Sequence, residues 1–180
     1  MSQIYLITGE RRTGKTTATR SIVEAIGPTR CGGFYTEEVR EDGHRVGFRI
    51  VTIDGETRNI ADVRLDSPTR VEIYGVDVPS FESVAVKAVS NAIQYKEIVV
   101  IDEIGPMQLF SDEFKRVVNL ALEDSRIFLG TVVLRPHPWT DALKARQGIH
   151  LVELATENRE RVVRQLTEAL RDRLTSRNHP

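Results

Sequence analysis

Residues 9–17 read Gly-Glu-Arg-Arg-Thr-Gly-Lys-Thr-Thr, between an apolar run from Gln3 to Thr8 and the start of a helical pattern from Ala18 to Val23. Few local sequences restrict a fold so tightly. A strand that runs into G-x-x-x-x-G-K-[ST] and then into a helix must turn sharply, and glycines allow the turn. Successive backbone amides then face inward as an anion cradle, and the helix N-terminus adds partial positive charge at the same spot. Gly9, Glu10, Arg11, Arg12, Thr13, Gly14, Lys15, Thr16 and Thr17 therefore form a candidate nucleotide-phosphate loop, or P-loop. Lys15 is expected to neutralise charge on the β- and γ-phosphates, and the Thr16 hydroxyl to ligate Mg²⁺. The competing reading is an ordinary glycine-containing β–α turn. The correct flanking strand and helix weigh against it.

The other elements follow in order. The first helix should stop at Gly27-Pro28. Residues 31–40 and 45–53 are β-rich and flank Asp42-Gly43, so they read as a hairpin, and residues 57–63 add a short strand. This block is expected to be a β-hairpin insertion after the first helix, carried at the edge of an α/β core. Ser80 should cap a helix over 80–95 whose apolar positions include Phe81, Val84, Ala85, Val89 and Ala92. Ser111 should cap another to about residue 123. Residues 126–133 and 149–154 are strands, and Thr156 should cap a last helix whose tail frays from Thr175. This alternation of strands and helices implies a mostly parallel sheet with helices on both faces, in one domain over residues 1–180.

Ile98-Val99-Val100-Ile101 is a continuous apolar run, as in a central parallel strand, and it ends in Asp102-Glu103-Ile104-Gly105. An acidic strand terminus alone says little. Downstream of a P-loop it says more, because the Mg²⁺ shell needs a carboxylate. Asp102 is thus the expected second metal ligand beside Thr16. Side chains alternate along a strand, so Glu103 points elsewhere and is free to act on the attacking water.

Bulk properties set the outer limits. The chain has 180 residues, 40% hydrophobic and 28% charged, with a net charge of −1. That is an ordinary globular composition, and near-neutrality argues against nucleic acid as a partner. The lone cysteine, Cys31, excludes an internal disulfide and any cysteine-based zinc site. No apolar run is long enough to span a bilayer, and no leader pattern precedes the first strand, so no membrane partner and a cytoplasmic location are expected. Monomer and weak oligomer both remain open.

Several runs together resemble one family: Gly9 to Thr17, Gly32-Gly33-Phe34-Tyr35-Thr36-Glu37-Glu38-Val39-Arg40, Gly47-Phe48, Ser80-Phe81-Glu82, Val100 to Met107, Leu109-Phe110-Ser111, Gly130-Thr131 and Glu157-Asn158-Arg159. The chain resembles the small P-loop nucleoside-triphosphatases, which include thermophile proteins and the human cancer-related nucleoside-triphosphatase. The resemblance implies a RecA-like core and slow, Mg²⁺-dependent hydrolysis of ATP, GTP and other nucleoside triphosphates to the diphosphate and phosphate. In that scheme Lys15 and Glu103 are catalytic and Ile98 to Gly105 contribute to nucleotide binding. Thr131 orients water or senses the γ-phosphate, unless it is merely a β-branched strand residue. Arg159 contacts a phosphate or ribose, or else makes a surface salt bridge. His137 and Trp139 cover a base, or more simply form a packed loop.

Arg11 and Arg12 depart from the small residues or proline usual at these loop positions. They serve as an internal arginine finger, or they face solvent and acidic surface; the second reading is favoured. Two alternative functions are a P-loop nucleotide or small-molecule kinase and a nucleotide-dependent switch acting on RNA or protein. No arginine-rich lid segment supports the first, and a 6% aromatic share weakens the RNA version of the second.

Overall fold

The computed structural model describes residues 3–124 and 126–177. Its strands are β1 (Ile4–Thr8), β2 (Cys31–Glu41), β3 (His44–Thr52), β4 (Thr57–Asp62), β5 (Arg70–Val71), β6 (Tyr74–Val76), β7 (Ile98–Ile104), β8 (Ile127–Val132) and β9 (Ile149–Glu153). They form one sheet in the order β5-β6-β4-β3-β2-β7-β8-β1-β9. The five strands from β2 to β9 in that order pair in parallel. The remaining four extend the same sheet in antiparallel pairs.

The expected hairpin is present, but its first strand is not an insertion at the core's edge. Residues 31–35 of β2 are all buried and pair with Ile98 to Asp102 of β7. Gly32 and Gly33 interrupt the apolar run of this strand, so its two-sided burial does not register as a hydrophobic pattern. Only the second half of β2 leaves the core, and there it carries β3.

Helix α1 (Lys15–Ile26) and helix α6 (Arg159–Arg177) cover one face of the sheet. The other face is covered by α4 (Asp112–Glu123) and by a continuous helix over 78–95, made of α2 (Val78–Phe81), a π turn and α3 (Lys87–Tyr95). Phe34, Phe81 and Phe114 meet there, with Phe81 and Phe114 ring centroids 5.1 Å apart in the edge-on geometry aromatic pairs favour. The helix over 78–95 is capped by Asp77, whose carboxylate accepts from Ser80 N–H at 2.9 Å, and not by Ser80. Asp77 lies before Pro79, where a cap is easily overlooked because the proline looks like a break. Ser111 does cap α4, accepting from Phe114 N–H at 2.9 Å.

Thr156 opens a 3₁₀ turn and makes no capping bond. That entry is closed by Asn158, which accepts from Ala155 N–H and donates to the Glu153 carbonyl. Helix α6 continues through Thr175 to Arg177, beyond the expected frayed point, and residues 178–180 lie outside the described residues. Among the described residues no helix is long and apolar enough to cross a membrane.

Candidate active site

The P-loop joins β1 to α1 at the C-terminal ends of the parallel strands, with β7 two places away and β8 between them. This is where open α/β sheets bind ligands. At its two glycines the loop has no room for a side chain. At Gly9 φ is +145°, and a Cβ there would lie 2.3 Å from the Leu154 carbonyl oxygen. A Cβ on Gly14 would lie 2.8 Å from Arg159 Nη1. Arg159 therefore lies over the loop rather than out on the surface of α6. Thr13 ties the loop internally, donating to the Glu10 carbonyl at 3.0 Å. Lys15 Nζ donates to the Gly9 and Glu10 carbonyls, both at 2.9 Å, and stands 4.0 Å from Glu103 Oε2.

Asp102 is sealed, with 1% of its surface exposed. The Thr131 hydroxyl donates to its Oδ1 at 2.6 Å, while its Oδ2 is buried with no hydrogen-bond partner. Burial pushes the Asp102 carboxyl up from its ordinary range, against the opposing pull of Thr131, Thr16 and Lys15. The Thr16 hydroxyl faces the same carboxylate without a well-aligned bond to it. A buried carboxylate with one oxygen orphaned is costly in isolation and fits a divalent cation. Among the described residues no cluster of three or more His, Cys, Asp and Glu forms a self-sufficient metal cage. A few protein oxygens, with substrate phosphates and waters as the remaining donors, are the habit of Mg²⁺.

Glu103, joined to Asp102 by a cis peptide bond, turns the other way, into the cavity. Burial and then the Asp102 charge raise its carboxyl to about 7. A Cβ on Gly105 would lie 2.8 Å from Glu103 Oε1, so the glycine leaves the carboxylate its place.

The other candidate residues separate cleanly. Ile98, Val99, Val100, Ile101 and Ile104 are buried at 0–1% exposure and do not line the cavity. They belong to the core because a strand covered by helices on both faces has no side chain free until its end. Thr131 is buried at 0%, and its hydroxyl donates to Asp102, so in this structure it positions that carboxylate. Arg11 pairs with Glu72 at 2.8 Å, the favoured solvent-and-acid reading for that side chain. Arg12 is exposed, with φ +66°. His137 caps α5 (Pro138–Lys144) by accepting from Trp139 N–H, and Trp139 packs against the core; neither lines the cavity.

The opposite wall comes from β2, β3, β5–β6 and residues 106–108, which enclose about 830 Å³ together with the P-loop. Thr36 is its hub. Its hydroxyl donates to the Asp102 carbonyl at 2.9 Å and accepts from Gln108 Nε2 and Glu103 N–H, each at 3.3 Å. Neither Thr36 nor Gln108 carries a role in the sequence reading. Their polar side chains are the only trace, and they meet the site solely through the pairing of β2 with β7 and the turn after β7. The lone thiol, Cys31, is 1% exposed and raised to about 11 by burial, the setting of an unreactive core thiol.

A phosphate loop at a strand–helix junction, an acidic pair on a nearby strand and an orphaned oxygen between them define a P-loop nucleotide-binding protein of the parallel α/β class. A family model described as NTPase matches residues 4–167, and the chain belongs to that family. The nucleoside-triphosphatase THEP1 of Thermotoga sp. (strain RQ2) is 36% identical over 166 residues, 92% of this chain and 94% of that protein. The cancer-related nucleoside-triphosphatase of Homo sapiens is 33% identical over 178 residues, 91% of this chain and 94% of that one. The crystal structure of THEP1 from Aquifex aeolicus superposes with a TM-score of 0.85 at 35% identity, covering 92% of this chain and 98% of its own.

Proposed function

We propose that this chain hydrolyses nucleoside 5′-triphosphates, ATP and GTP among them, to the diphosphate and phosphate in the cytoplasm, slowly and with loose base preference. The names of its relatives support the activity. The observation that carries it to particular residues is the meeting of Lys15 and Glu103 at the cavity wall, with the orphaned Oδ2 of the sealed Asp102 on the neighbouring residue.

The P-loop amides and the N-terminus of α1 bind the phosphates, while Lys15 leaves its two loop carbonyls to neutralise charge spreading over the transferred group. Thr16 and Asp102 would hold a Mg²⁺ ion, which would supply further positive charge to the same phosphates when bound. Thr131 holds Asp102 in place. Glu103 accepts the proton of the attacking water, a role suited to a carboxyl raised to about 7. Arg159, lying over Gly14, contacts the phosphates or ribose from the far side of the loop. A loop that grips phosphates through its backbone reads nothing of the base, which accords with loose base preference.

Lys15→Ala tests the assignment. Nucleotide binding by calorimetry and phosphate release should disappear together. Retention of both in a folded variant would place the nucleotide elsewhere.

A further inference from the structure

The chain that leaves β7 turns back towards Glu103. Gln108 and Leu109 both donate their backbone N–H to the Gly105 carbonyl at 3.1 Å, and the turn sets the Gln108 side chain at the cavity wall beside Thr36 and Glu103. At 4% exposure this amide is held by its partners, and the partners decide which of its ends faces which way.

A threonine hydroxyl has one hydrogen to give. That of Thr36 goes to the Asp102 carbonyl at 2.9 Å. Towards Gln108 the Thr36 oxygen can then only accept, and it does so from Nε2 at 3.3 Å. The Glu103 N–H makes the same demand on that oxygen, also at 3.3 Å. The amide is thus fixed with its nitrogen at Thr36 and its oxygen turned the other way. That oxygen and the Glu103 carboxylate converge on one spot. A Cβ on Gly105 would lie 2.8 Å from Glu103 Oε1 and 3.4 Å from Gln108 Oε1. Among the described residues no group donates a hydrogen bond to either oxygen. Two neighbouring acceptors without a donor suit a small molecule that donates twice. Lys15, 4.0 Å from Glu103 Oε2, puts the pair beside the group that neutralises the terminal phosphates.

We propose that Gln108 is a catalytic residue: its Oε1 and Glu103 Oε1 hold the attacking water between them, each accepting one of its two hydrogens. This rests on the reading of Glu103 as the base. The water oxygen forms a bond to the γ-phosphorus, and the bond from that phosphorus to the β–γ bridging oxygen breaks. One proton passes to Glu103. The other stays on the oxygen, bonded to Gln108, and leaves with the phosphate. With both hydrogens held, the water's lone pair is aimed at phosphorus; with Glu103 alone, the water turns about a single bond and loses that aim. Thr36 is a positioning residue that acts through the amide.

The test measures kcat and KM for phosphate release from ATP by the full chain with Mg²⁺, with nucleotide binding by calorimetry and folding by circular dichroism. Gln108→Met removes both ends of the amide at nearly the same length, and kcat should fall about 10–100-fold with KM changed less than about threefold. Gln108→Leu is the second apolar variant, with the same expected split. Gln108→Glu keeps an acceptor oxygen and gives up the amide donors, so its kcat should stay within about fivefold of the wild type. Thr36→Val, which releases the amide, should lower kcat, and Thr36→Ser should restore it. Gln108→Glu as damaged as Gln108→Met would show that the donor to Thr36 is what counts, and would overturn the proposal. A raised KM with unchanged kcat in Gln108→Met would place the amide on the nucleotide instead and overturn it too. Glu103→Gln separates the two readings. Undiminished hydrolysis there removes the base and this inference with it, whereas a large fall there beside an unchanged kcat in Gln108→Met overturns this inference alone.

Discussion

Replacing Glu103 by glutamine keeps the side chain's size and abolishes its ionisation, so it separates the catalytic cost of the site from its stability cost. In the folded protein this carboxyl is raised from 4.5 to about 7 by burial and by the Asp102 charge, with Lys15 and Arg11 pulling the other way. The folded state then holds the proton more tightly than the unfolded chain does. Stability is accordingly greatest below pH 4.5, declines as pH rises, and carries the full penalty above about 7. A rise from 4.5 to about 7 corresponds to at most about 3.4 kcal/mol. With 34% of the side-chain surface exposed, solvent screening trims this to about 1–2 kcal/mol.

Glu103→Gln should therefore be more stable than the wild type by about 1–2 kcal/mol at pH 8, a gain in Tm of about 3–6 °C for a chain of this size. At pH 5 the gain should nearly vanish. Phosphate release by the same variant should fall about 100-fold or more. Thermal unfolding followed by circular dichroism at both pH values, beside a phosphate-release assay, reads all three quantities. A variant that is less stable at pH 8, or shifted equally at both pH values, refutes the argument about burial. Undiminished hydrolysis removes Glu103 as the base.

Three other outcomes follow from the same geometry. In the wild type, kcat/KM should rise with pH through an apparent pKa of about 7, and that limb should be absent from the residual activity of Glu103→Gln. Thr131→Val removes the hydroxyl that orients Asp102, so Mg²⁺ titration of phosphate release should show an apparent affinity about 10–100-fold weaker, restored by Thr131→Ser. Gly9→Ala sets a Cβ against the Leu154 carbonyl at a positive φ, and chemical denaturation should show a loss of about 2–4 kcal/mol with nucleotide binding reduced as well.

Which parts of the site can be read from the sequence depends on how far apart along the chain the participants lie. The P-loop, the acidic pair after Ile101 and the cap at Ser111 are written in short runs whose local geometry suffices, and each stands where its run implies. The far wall is assembled from residues distant in sequence: Arg11 and Glu72 are 61 residues apart, Thr36 and Asp102 66. Only strand register brings them together, and no local pattern encodes register. Thr131 shows the same limit from within a motif, since its position at a strand end suggests phosphate while its direction belongs to Asp102. The residues of β7 before Asp102 mark the opposite error. They neighbour the site in sequence, yet their side chains fill the core.

The most direct test is a crystal structure of the full chain with Mg²⁺ and a non-hydrolysable ATP analogue. The triphosphate should lie in the loop from Gly9 to Thr17, with Lys15 turned from its loop carbonyls to the β- and γ-phosphates and Mg²⁺ bound through Thr16 and Asp102. Glu103 should face the γ-phosphate across a water. A triphosphate seated outside the loop, or a γ-phosphate remote from Glu103, would contradict this mechanism.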